Sequence, residues 1–556
     1  MNLFKLFGAG FLSLSWLVPN HYPPWNSFYN DSSAAFGLLL LALGCGRNLI
    51  AKPAPVTMWV TVAVAMIATL QWTFGQLAFS GDAVVSVLYL MGFASAIGIG
   101  YSAASSDAPA TARLLATSVL LASLISCILA LSQALQLANF GIWSQDVRPG
   151  TRVFANLGQP NNLATLIGLG SVSLLLLREQ RRVSAWLAAL LLGTLLIGIA
   201  LSQSRIALAF GPVIAIGIWV ANRRGSRFLT MPLTIFVIWL VQCLLTWAWP
   251  YLQQLLLFAP QASLAERGIG SPRYLMWSML LDAIWHSPWI GYGWLQVGAA
   301  QLVVVNQNPS SGEMWLQAHN LFLDLLLWCG IPLGSVLIAL VLCWFGSRTL
   351  RISSKEAVTG MLALAVLGLH SMVEFPYQYA YFLIPAGLWI GQIEWSVRAF
   401  GFATPKWNLV PHLVSVTLLM CIWKDYKAVE DDWRLVRFET LRIGDVRAAY
   451  SAPDAPFMSG LTSLLRFIRT EPRVGMTDAE LAEADAVTRR YPFALSLAQL
   501  AEMQALNRRL PQAVQNFESI RRMYPPTVYS KLRTTLRGRA SEGQTGLTDL
   551  DRSLVP

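Results

Sequence analysis

The chain has little charge and few cysteines for its length. Asp, Glu, Lys and Arg make up 12% of the 556 residues, about half the share found in ordinary globular domains. All six cysteines lie within apolar runs, and none has the CxxC or His-linked spacing of a metal or redox site. We therefore predict neither a zinc site nor a disulfide framework, and the low charge argues against an ordinary soluble domain.

Hydrophobic residues, by contrast, make up 55% of the chain, and the mean hydropathy is +0.51. Apolar runs long enough to cross roughly 30 Å of hydrocarbon recur from Phe4 to about Trp423. Two short runs, Ser33 to Gly46 and Glu356 to Leu369, fit either half-spans or re-entrant segments. The predicted fold is all-α and polytopic, with about 12–13 transmembrane helices surrounded by membrane lipids.

Basic residues cluster in every second connection between these runs. The clusters are Lys5, Arg47 with Lys52, Arg178 with Arg181 and Arg182, Arg223 with Arg224 and Arg227, Arg348 with Arg351 and Lys355, and Arg398 with Lys406. Because Lys and Arg flanking a span are retained on the cytoplasmic side, this pattern places the N-terminus in the cytoplasm. The net charge of +11 is mainly this bias, so no nucleic-acid partner is predicted. The first apolar run lacks a cleavage site and is predicted to remain as a helix.

The composition changes after the last apolar run. We predict a transmembrane domain over residues 1–424, with a large outward loop at about 258–318 that carries amphipathic helices, and a separate helical domain over 425–539. Tyr491-Pro492 and Tyr524-Pro525 recur 33 residues apart, and the helix pair between them resembles a tetratricopeptide (TPR) repeat. Either a partner-binding surface or a helical cap on the membrane domain fits this pattern. Residues 540–556 are polar and are predicted to be disordered.

Three ionisable residues stand at the predicted outward edge of the membrane. They are Arg205, Arg273 and His319, with Arg267 as a further candidate. A guanidinium forks onto phosphate oxygens in two parallel bonds and keeps its charge, so the arginines suit an anionic, membrane-anchored diphosphate. Snorkelling or a lipid headgroup contact would also explain an arginine at this depth.

Histidines in the same outward region are candidates for acid–base chemistry. A histidine can accept a proton near neutral pH. A hydroxyl group must lose its proton to a base of this kind if its oxygen is to attack a sugar carbon. His319 fits this role at the mouth of the apolar run that begins at Asn320. His370 and Glu374 lie four residues apart beside several tyrosines, and either substrate binding or a structural turn network accounts for them.

These residues together resemble the O-antigen ligase and polymerase superfamily of bacterial membrane glycosyltransferases. The likeness rests on the stretch from Arg273 to the Gly291-Tyr292-Gly293 run, and on the His319-Asn320 helix that continues to Gly334. Two further elements are similar to the protein O-oligosaccharyltransferase branch, which glycosylates pilins and other exported proteins. These are Gln159-Pro160-Asn161-Asn162 and the segment from His370 to Pro385.

The resemblance implies a GT-C-like enzyme of the bacterial inner membrane, with its active site and C-terminal domain in the periplasm. It would transfer a preassembled glycan en bloc from undecaprenyl diphosphate to an acceptor hydroxyl with inversion, without metal, ATP or another cofactor. Asp431-Asp432 is isolated and is not predicted to bind metal. His319 would be the general base, and Arg205, Arg273 and Arg267 would bind the diphosphate. The implied substrate-binding residues are Gln159, Asn161, His370, Glu374 and Tyr379.

The acceptor is open at this point. A pilin-like protein is favoured because of the additional outward helical domain, and the lipid A core, the acceptor of an O-antigen ligase in lipopolysaccharide synthesis, is the alternative. An O-antigen polymerase and a lipid-linked sugar flippase are less favoured. A flippase would show internal repeats and ionisable residues at the membrane midplane, whereas the polar residues here gather at one face.

Overall fold

A computed structural model describes residues 2–46, 49, 53–137, 140–256, 258, 272–402, 409–440 and 450–554. These residues are almost entirely helical. The one pair of strands among them, Ala54–Pro55 (β1) and Gly401–Phe402 (β2), is antiparallel and has two residues in each strand. The all-α prediction is confirmed.

The helices are numbered in chain order. Those of the N-terminal half are α1 (Leu3–Ser15), α2 (Phe28–Cys45), α3 (Val56–Thr73), α4 (Ser80–Ala134), α5 (Pro160–Glu179), α6 (Ala185–Ser202), α7 (Ala207–Arg223), α8 (Pro232–Leu255), α9 (Pro272–His286) and α10 (Val297–Val304). Those that follow are α11 (Leu321–Thr349), α12 (Lys355–Ser371), α13 (Ala380–Ser396), α14 (Leu409–Thr440), α15 (Ser459–Arg469), α16 (Asp478–Arg490), α17 (Ala494–Leu506), α18 (Leu510–Met523), α19 (Pro526–Ala540) and α20 (Thr545–Ser553).

Seven of the described helices are long and apolar enough to cross a membrane, namely α2, α3, α4, α5, α6, α8 and α11. The chain is therefore a multi-pass membrane protein. Helices α1 and α7 are apolar but shorter. The 55-residue α4 is interrupted at Asp107, where the backbone leaves the helical region (φ −159°, ψ 92°), two residues before Pro109. The count of 12–13 spans exceeds the seven and stays a prediction.

The chain divides into two compact units. The first contains Met1–Ala65, Leu88–Ile269 and Val341–Leu419, and the second contains Met66–Val87, Gly270–Leu340 and Met420–Pro556. The helices after residue 424, predicted as a separate domain, thus share a unit with the segment from Gly270 to Leu340.

Helix α5 lies at the centre of the first unit, packed against α6, α7 and α12. Its 20 residues span about 30 Å, and polar contacts gather at both of its ends. At the C-terminal end, Glu179 accepts hydrogen bonds from Lys355 at 2.7 Å and from the backbone N–H of Thr230 at 2.9 Å. These contacts join three of the connections that are predicted to be cytoplasmic. The N-terminal end joins loops that are predicted to face outward.

The second unit contains two hydrophobic cores formed largely by the C-terminal helices. One holds Phe517, Ile520 and Met523 of α18 with residues of α17, α19 and α20. The other holds Leu464 of α15 and Leu481 of α16. A capping box is present at the start of α16, where the Thr477 side chain accepts from the backbone N–H of Glu480 and the Glu480 side chain accepts from that of Thr477.

The prediction of a disordered tail is wrong for residues 545–553, which form α20. Leu547 and Leu550 are fully or almost fully buried in the first of these cores. Asp551 accepts from the guanidinium groups of Arg533 and Arg537, both at 3.1 Å. The prediction rested on the polar composition of the segment. Leu547 and Leu550 are three residues apart and therefore share one face of a helix, which is sufficient for this short helix to pack against the core.

Candidate functional site

Asn161 is the centre of a polar cluster in the first unit. Its side-chain oxygen accepts hydrogen bonds from the Ser204 hydroxyl at 2.7 Å and from Arg152 Nη2 at 3.2 Å. Its side-chain nitrogen donates to Glu374 Oε1 at 2.9 Å. One amide thus connects the nearby Arg152 with two residues that are 43 and 213 positions away, and its donor and acceptor groups each have a partner.

Two more of the predicted residues lie beside this amide. Gln159 is the N-cap residue of α5 and makes no capping hydrogen bond with its side chain, so its amide is not committed to the helix. Arg205 is exposed and follows Ser204 directly. The turn that carries it begins at Gln203, which has a left-handed backbone (φ 48°) and donates to the carbonyl of Thr246 at 2.8 Å. The structure therefore places four of the predicted site residues at one end of α5, namely Gln159, Asn161, Arg205 and Glu374.

His370 lies deeper than the other members of the cluster. It is 0% exposed, and its Nδ1 is 2.9 Å from the hydroxyl of Thr165, one turn along α5 from Asn161. The backbone N–H of Glu374 donates to the His370 carbonyl at 2.9 Å. Its burial favours a role in holding α12 against α5, and its predicted contact with substrate stays a prediction.

Tyr379 is held in this region by a buried carboxylate. Asp31 accepts from the Tyr89 hydroxyl at 2.6 Å and from the backbone N–H of Ala380 at 2.7 Å, so it caps α13 from another helix. The Tyr379 ring stacks on that of Tyr381, with centroids 5.0 Å apart. Burial first, and then the nearby carboxylates, raise the pKa of Tyr379, so its hydroxyl is protonated at neutral pH and is available as a donor.

His319 belongs to the second unit and has a left-handed backbone (φ 50°), which is uncommon for a residue other than glycine. Both neighbours fix it there. The backbone N–H of buried Ala318 donates to Asp324 at 2.9 Å, and the Asn320 side chain caps α11 by accepting from the N–H of Phe322 at 3.0 Å. Such backbone strain persists only where its surroundings enforce it, and it is common at functional sites.

Arg273 and His319 belong to the same unit, and a hydrogen bond made by Trp277 connects their segments. It is in the first turn of α9, one turn before Trp277, and the Trp277 indole N–H donates to the Ala318 carbonyl at 2.9 Å. Residues four apart share a helix face. The hydrogen bond from Trp277 to Ala318 therefore joins the helix face that carries Arg273 to the residue directly before His319.

The run Gly291-Tyr292-Gly293 is hydrogen-bonded to α11, the helix that begins two residues after His319. The backbone N–H of Tyr292 donates to the carbonyl of Leu327 at 2.7 Å, and that of Gly293 donates to Trp328 at 3.2 Å. Those carbonyls are available because α11 breaks at Gly330 (φ 75°, ψ 173°). Tyr292 also donates its hydroxyl to the Ala283 carbonyl at 2.8 Å, and burial, with a smaller effect of Asp282, raises its pKa to about 12. This motif thus positions the first turns of α11.

Several side chains that complete these arrangements were not predicted from the sequence. They are Asp31, Arg152, Thr165, Ser204 and Asp324. Asp31 and Asp324 had a detectable signal, because a lone acidic residue within an apolar run is costly unless it is paired. Arg152 and Thr165 had none, since their partners are set by tertiary packing. Arg267 lies outside the described residues.

Among the residues that the structure describes, no group of three or more His, Cys, Asp or Glu side chains has the arrangement of a metal site.

Comparisons with known proteins identify two family models along the chain. Residues 190–338 match the model described as "O-Antigen ligase", and residues 358–535 match the one described as "Virulence factor membrane-bound polymerase, C-terminal". The first match contains Arg205, Arg273 and His319, and the second contains His370, Glu374 and Tyr379.

Two curated proteins of Acinetobacter baylyi are similar over most of their length. A general O-oligosaccharyltransferase is 28% identical over 519 residues, which is 88% of this chain and 86% of that protein. A ComP-specific O-oligosaccharyltransferase is 29% identical over 427 residues, 76% of each chain.

Proposed function

We propose that the chain is a membrane glycosyltransferase of the O-antigen ligase superfamily, on its O-oligosaccharyltransferase branch. In this proposal it transfers a preassembled glycan from undecaprenyl diphosphate to a protein hydroxyl. The acceptor would be a Ser or Thr of an exported, pilin-like protein at the periplasmic face of the inner membrane. The observation that carries the proposal is the similarity to two O-oligosaccharyltransferases over 88% and 76% of the chain.

His319 is the proposed general base. It takes the proton from the acceptor hydroxyl as the oxygen attacks the anomeric carbon of the glycan. The bond from that carbon to the diphosphate breaks, and undecaprenyl diphosphate leaves with the electron pair. A single in-line displacement inverts the anomeric configuration. The enforced left-handed backbone supports this role, since it fixes the direction in which the His319 Cα–Cβ bond leaves the chain before substrate binds.

Arg205 and Arg273 are the proposed diphosphate-binding residues, and Arg267 stays a candidate for the same role. Their guanidinium groups would offset the negative charge that grows on the leaving diphosphate. Gln159, Asn161, Glu374 and Tyr379 are proposed to bind substrate. Three of them contact or adjoin the Asn161 cluster, and the protonated Tyr379 hydroxyl is a suitable donor to a sugar oxygen. The proposed reaction uses neither metal nor ATP.

The alternative acceptor is the lipid A core. The match of residues 190–338 to the O-antigen ligase model favours it specifically. Both acceptors present a hydroxyl group to the same donor, so the residues proposed above would serve either reaction.

A transfer assay with purified components tests the proposal. The chain would be supplied with undecaprenyl-diphosphate-linked glycan, a chelator and no nucleotide, with a pilin-like protein and lipid A core offered in parallel. Asn tolerates a left-handed backbone, so His319→Asn removes the imidazole with little added strain. His286→Asn is the matched control, because His286 is exposed at the end of α9.

We expect glycan on the protein with wild type and with His286→Asn, and none with His319→Asn. Glycan on the lipid A core alone would establish that the chain is an O-antigen ligase. Transfer to neither acceptor by the wild-type chain would refute the proposal.

A further inference from the structure

Arg152 joins two of the proposed substrate-binding elements through a single guanidinium. Its Nε donates to the carbonyl of Ser202 at 3.0 Å, and its Nη2 donates to Asn161 Oδ1 at 3.2 Å. Ser202 is the last residue of α6, and the turn to Arg205 follows it. We propose that Arg152 is a positioning residue for glycan transfer, which sets Asn161 and the Arg205 turn at a fixed separation. This inference rests on the proposed function.

The segment that carries Arg152 is itself held in place. Gln133, at the end of α4, accepts from the backbone N–H of Ala155 at 2.8 Å and donates to the carbonyl of the same residue at 2.8 Å. Val153, Ala155 and Leu157 are buried at 2% exposure or less. A guanidinium anchored in this way loses little further freedom when a ligand binds nearby, which is what preorganisation of a site requires.

The contacts require an arginine and not merely a positive charge. The guanidinium is planar and offers its N–H groups in a rigid fork, so one side chain reaches two acceptors on different segments. A lysine ammonium is a compact point charge on a flexible stem. Arg152→Lys should therefore keep the charge and lose the bridge.

Arg152 also completes the hydrogen bonding of Asn161. The Asn161 side-chain oxygen has two acceptor sites, and Ser204 and Arg152 occupy both. With that oxygen occupied, the amide is oriented so that its nitrogen faces Glu374. Loss of Arg152 would leave the orientation of Asn161 to Ser204 and Glu374 alone. The effect of Arg152 on transfer should therefore depend on Asn161 being present.

A double-mutant cycle tests this dependence, with initial transfer rates measured over a range of donor concentrations. Arg152→Gln is expected to lower kcat/KM for the donor at least tenfold. In an Asn161→Ala background the same change should cost less than about threefold, because the group that Arg152 orients is already gone. Arg152→Lys should behave like Arg152→Gln.

Arg148→Gln is the matched control. Arg148 is in the same loop, is exposed, and its side chain has no hydrogen bond to any described residue. If Arg152→Gln lowers the melting temperature relative to this control, Arg152→Met keeps the length and apolar stem of the side chain and replaces it in the cycle.

Three outcomes overturn the inference. They are full activity of Arg152→Lys, equal loss in both Asn161 backgrounds, and activity of Arg152→Gln equal to that of Arg148→Gln. Each requires wild-type transfer to be observed first. Absence of wild-type transfer refutes the proposed function instead, so the two failures are distinguishable.

Discussion

Replacing Gly330 with alanine should destabilise the second unit, and the cost can be worked out from the backbone. At φ 75° and ψ 173° the residue occupies a region that is essentially restricted to glycine, where another residue costs about 1–3 kcal/mol. An added Cβ would also lie 2.5 Å from the carbonyl carbon and oxygen of Trp289 and 2.7 Å from the N of Ile290. These are backbone atoms that cannot rotate away, so overpacking adds about 1–3 kcal/mol.

The combined cost of Gly330→Ala is therefore about 2–6 kcal/mol. Gly346→Ala is the matched control in the same helix, because a Cβ there meets nothing within 4 Å and the backbone is helical. That change should stabilise the helix by about 0.5–1 kcal/mol. The two variants thus carry the same added methyl group, 16 positions apart in one helix, with opposite expected signs.

Thermal unfolding in one detergent and at one heating rate, followed by tryptophan fluorescence, measures the difference. We expect a lower melting temperature for Gly330→Ala and an equal or higher one for Gly346→Ala. Transfer activity should fall only in the first variant, since Gly330 permits the contacts that hold the start of α11. Equal melting temperatures would refute the reasoning, because the overlap with Trp289 would then be relieved without cost.

Three further changes have expected outcomes. Asp324→Ala leaves the buried N–H of Ala318 without its acceptor, so a loss of about 1–3 kcal/mol and a lower kcat are expected in unfolding and transfer assays; an unchanged kcat would contradict a role for this bond in holding His319. Asp82→Asn leaves the largely buried Arg490 guanidinium unpaired and should cost about 3 kcal/mol, whereas Asp485→Asn, beside the exposed Arg489, should change melting by little; equal shifts would contradict this. Burial, which outweighs the attraction of Arg539, raises the pKa of Glu502 in the folded state. The folded state therefore favours the protonated carboxyl. The free energy of unfolding increases as the pH falls from above the folded-state pKa towards the unfolded-state pKa. Glu502→Gln should therefore stabilise the protein at neutral pH, and the gain in melting temperature should vanish below about pH 4; a gain independent of pH would count against this cause.

Those parts of the fold that follow from local chemistry could be predicted from the sequence. The capping box at Thr477 depends on residues three apart, and the apolar runs that became α2 to α6 depend on continuous composition. The kink at Asp107 was not predicted, although Pro109 marks it. The tail helix was missed because its two buried leucines stabilise it only through a core that the chain assembles elsewhere.

For the candidate site, the sequence indicated the residue types and not their partners. The Gln-Pro-Asn element and the His370 to Glu374 segment were both singled out. The hydrogen bond between Asn161 and Glu374 joins residues 213 positions apart and follows only from the packing of α5 against α12. Arg152 was not distinguished from Arg148, since both lie in one polar loop and differ only in what α6 brings to them.

The C-terminal helices contact the segment that leads to His319, and this has a consequence for the order in which that segment can fold. Val305 packs in the same core as Phe517, and the N–H of Ser311 donates to the carbonyl of Arg522 at 2.9 Å. Ribosomes make these partners more than 200 residues after Val305, when all seven of the described helices that are long and apolar enough to cross a membrane have already been made. The segment that leads to His319 therefore gains these contacts only once α18 has been made, and a chain that terminates before α18 would keep its apolar runs and lack these contacts.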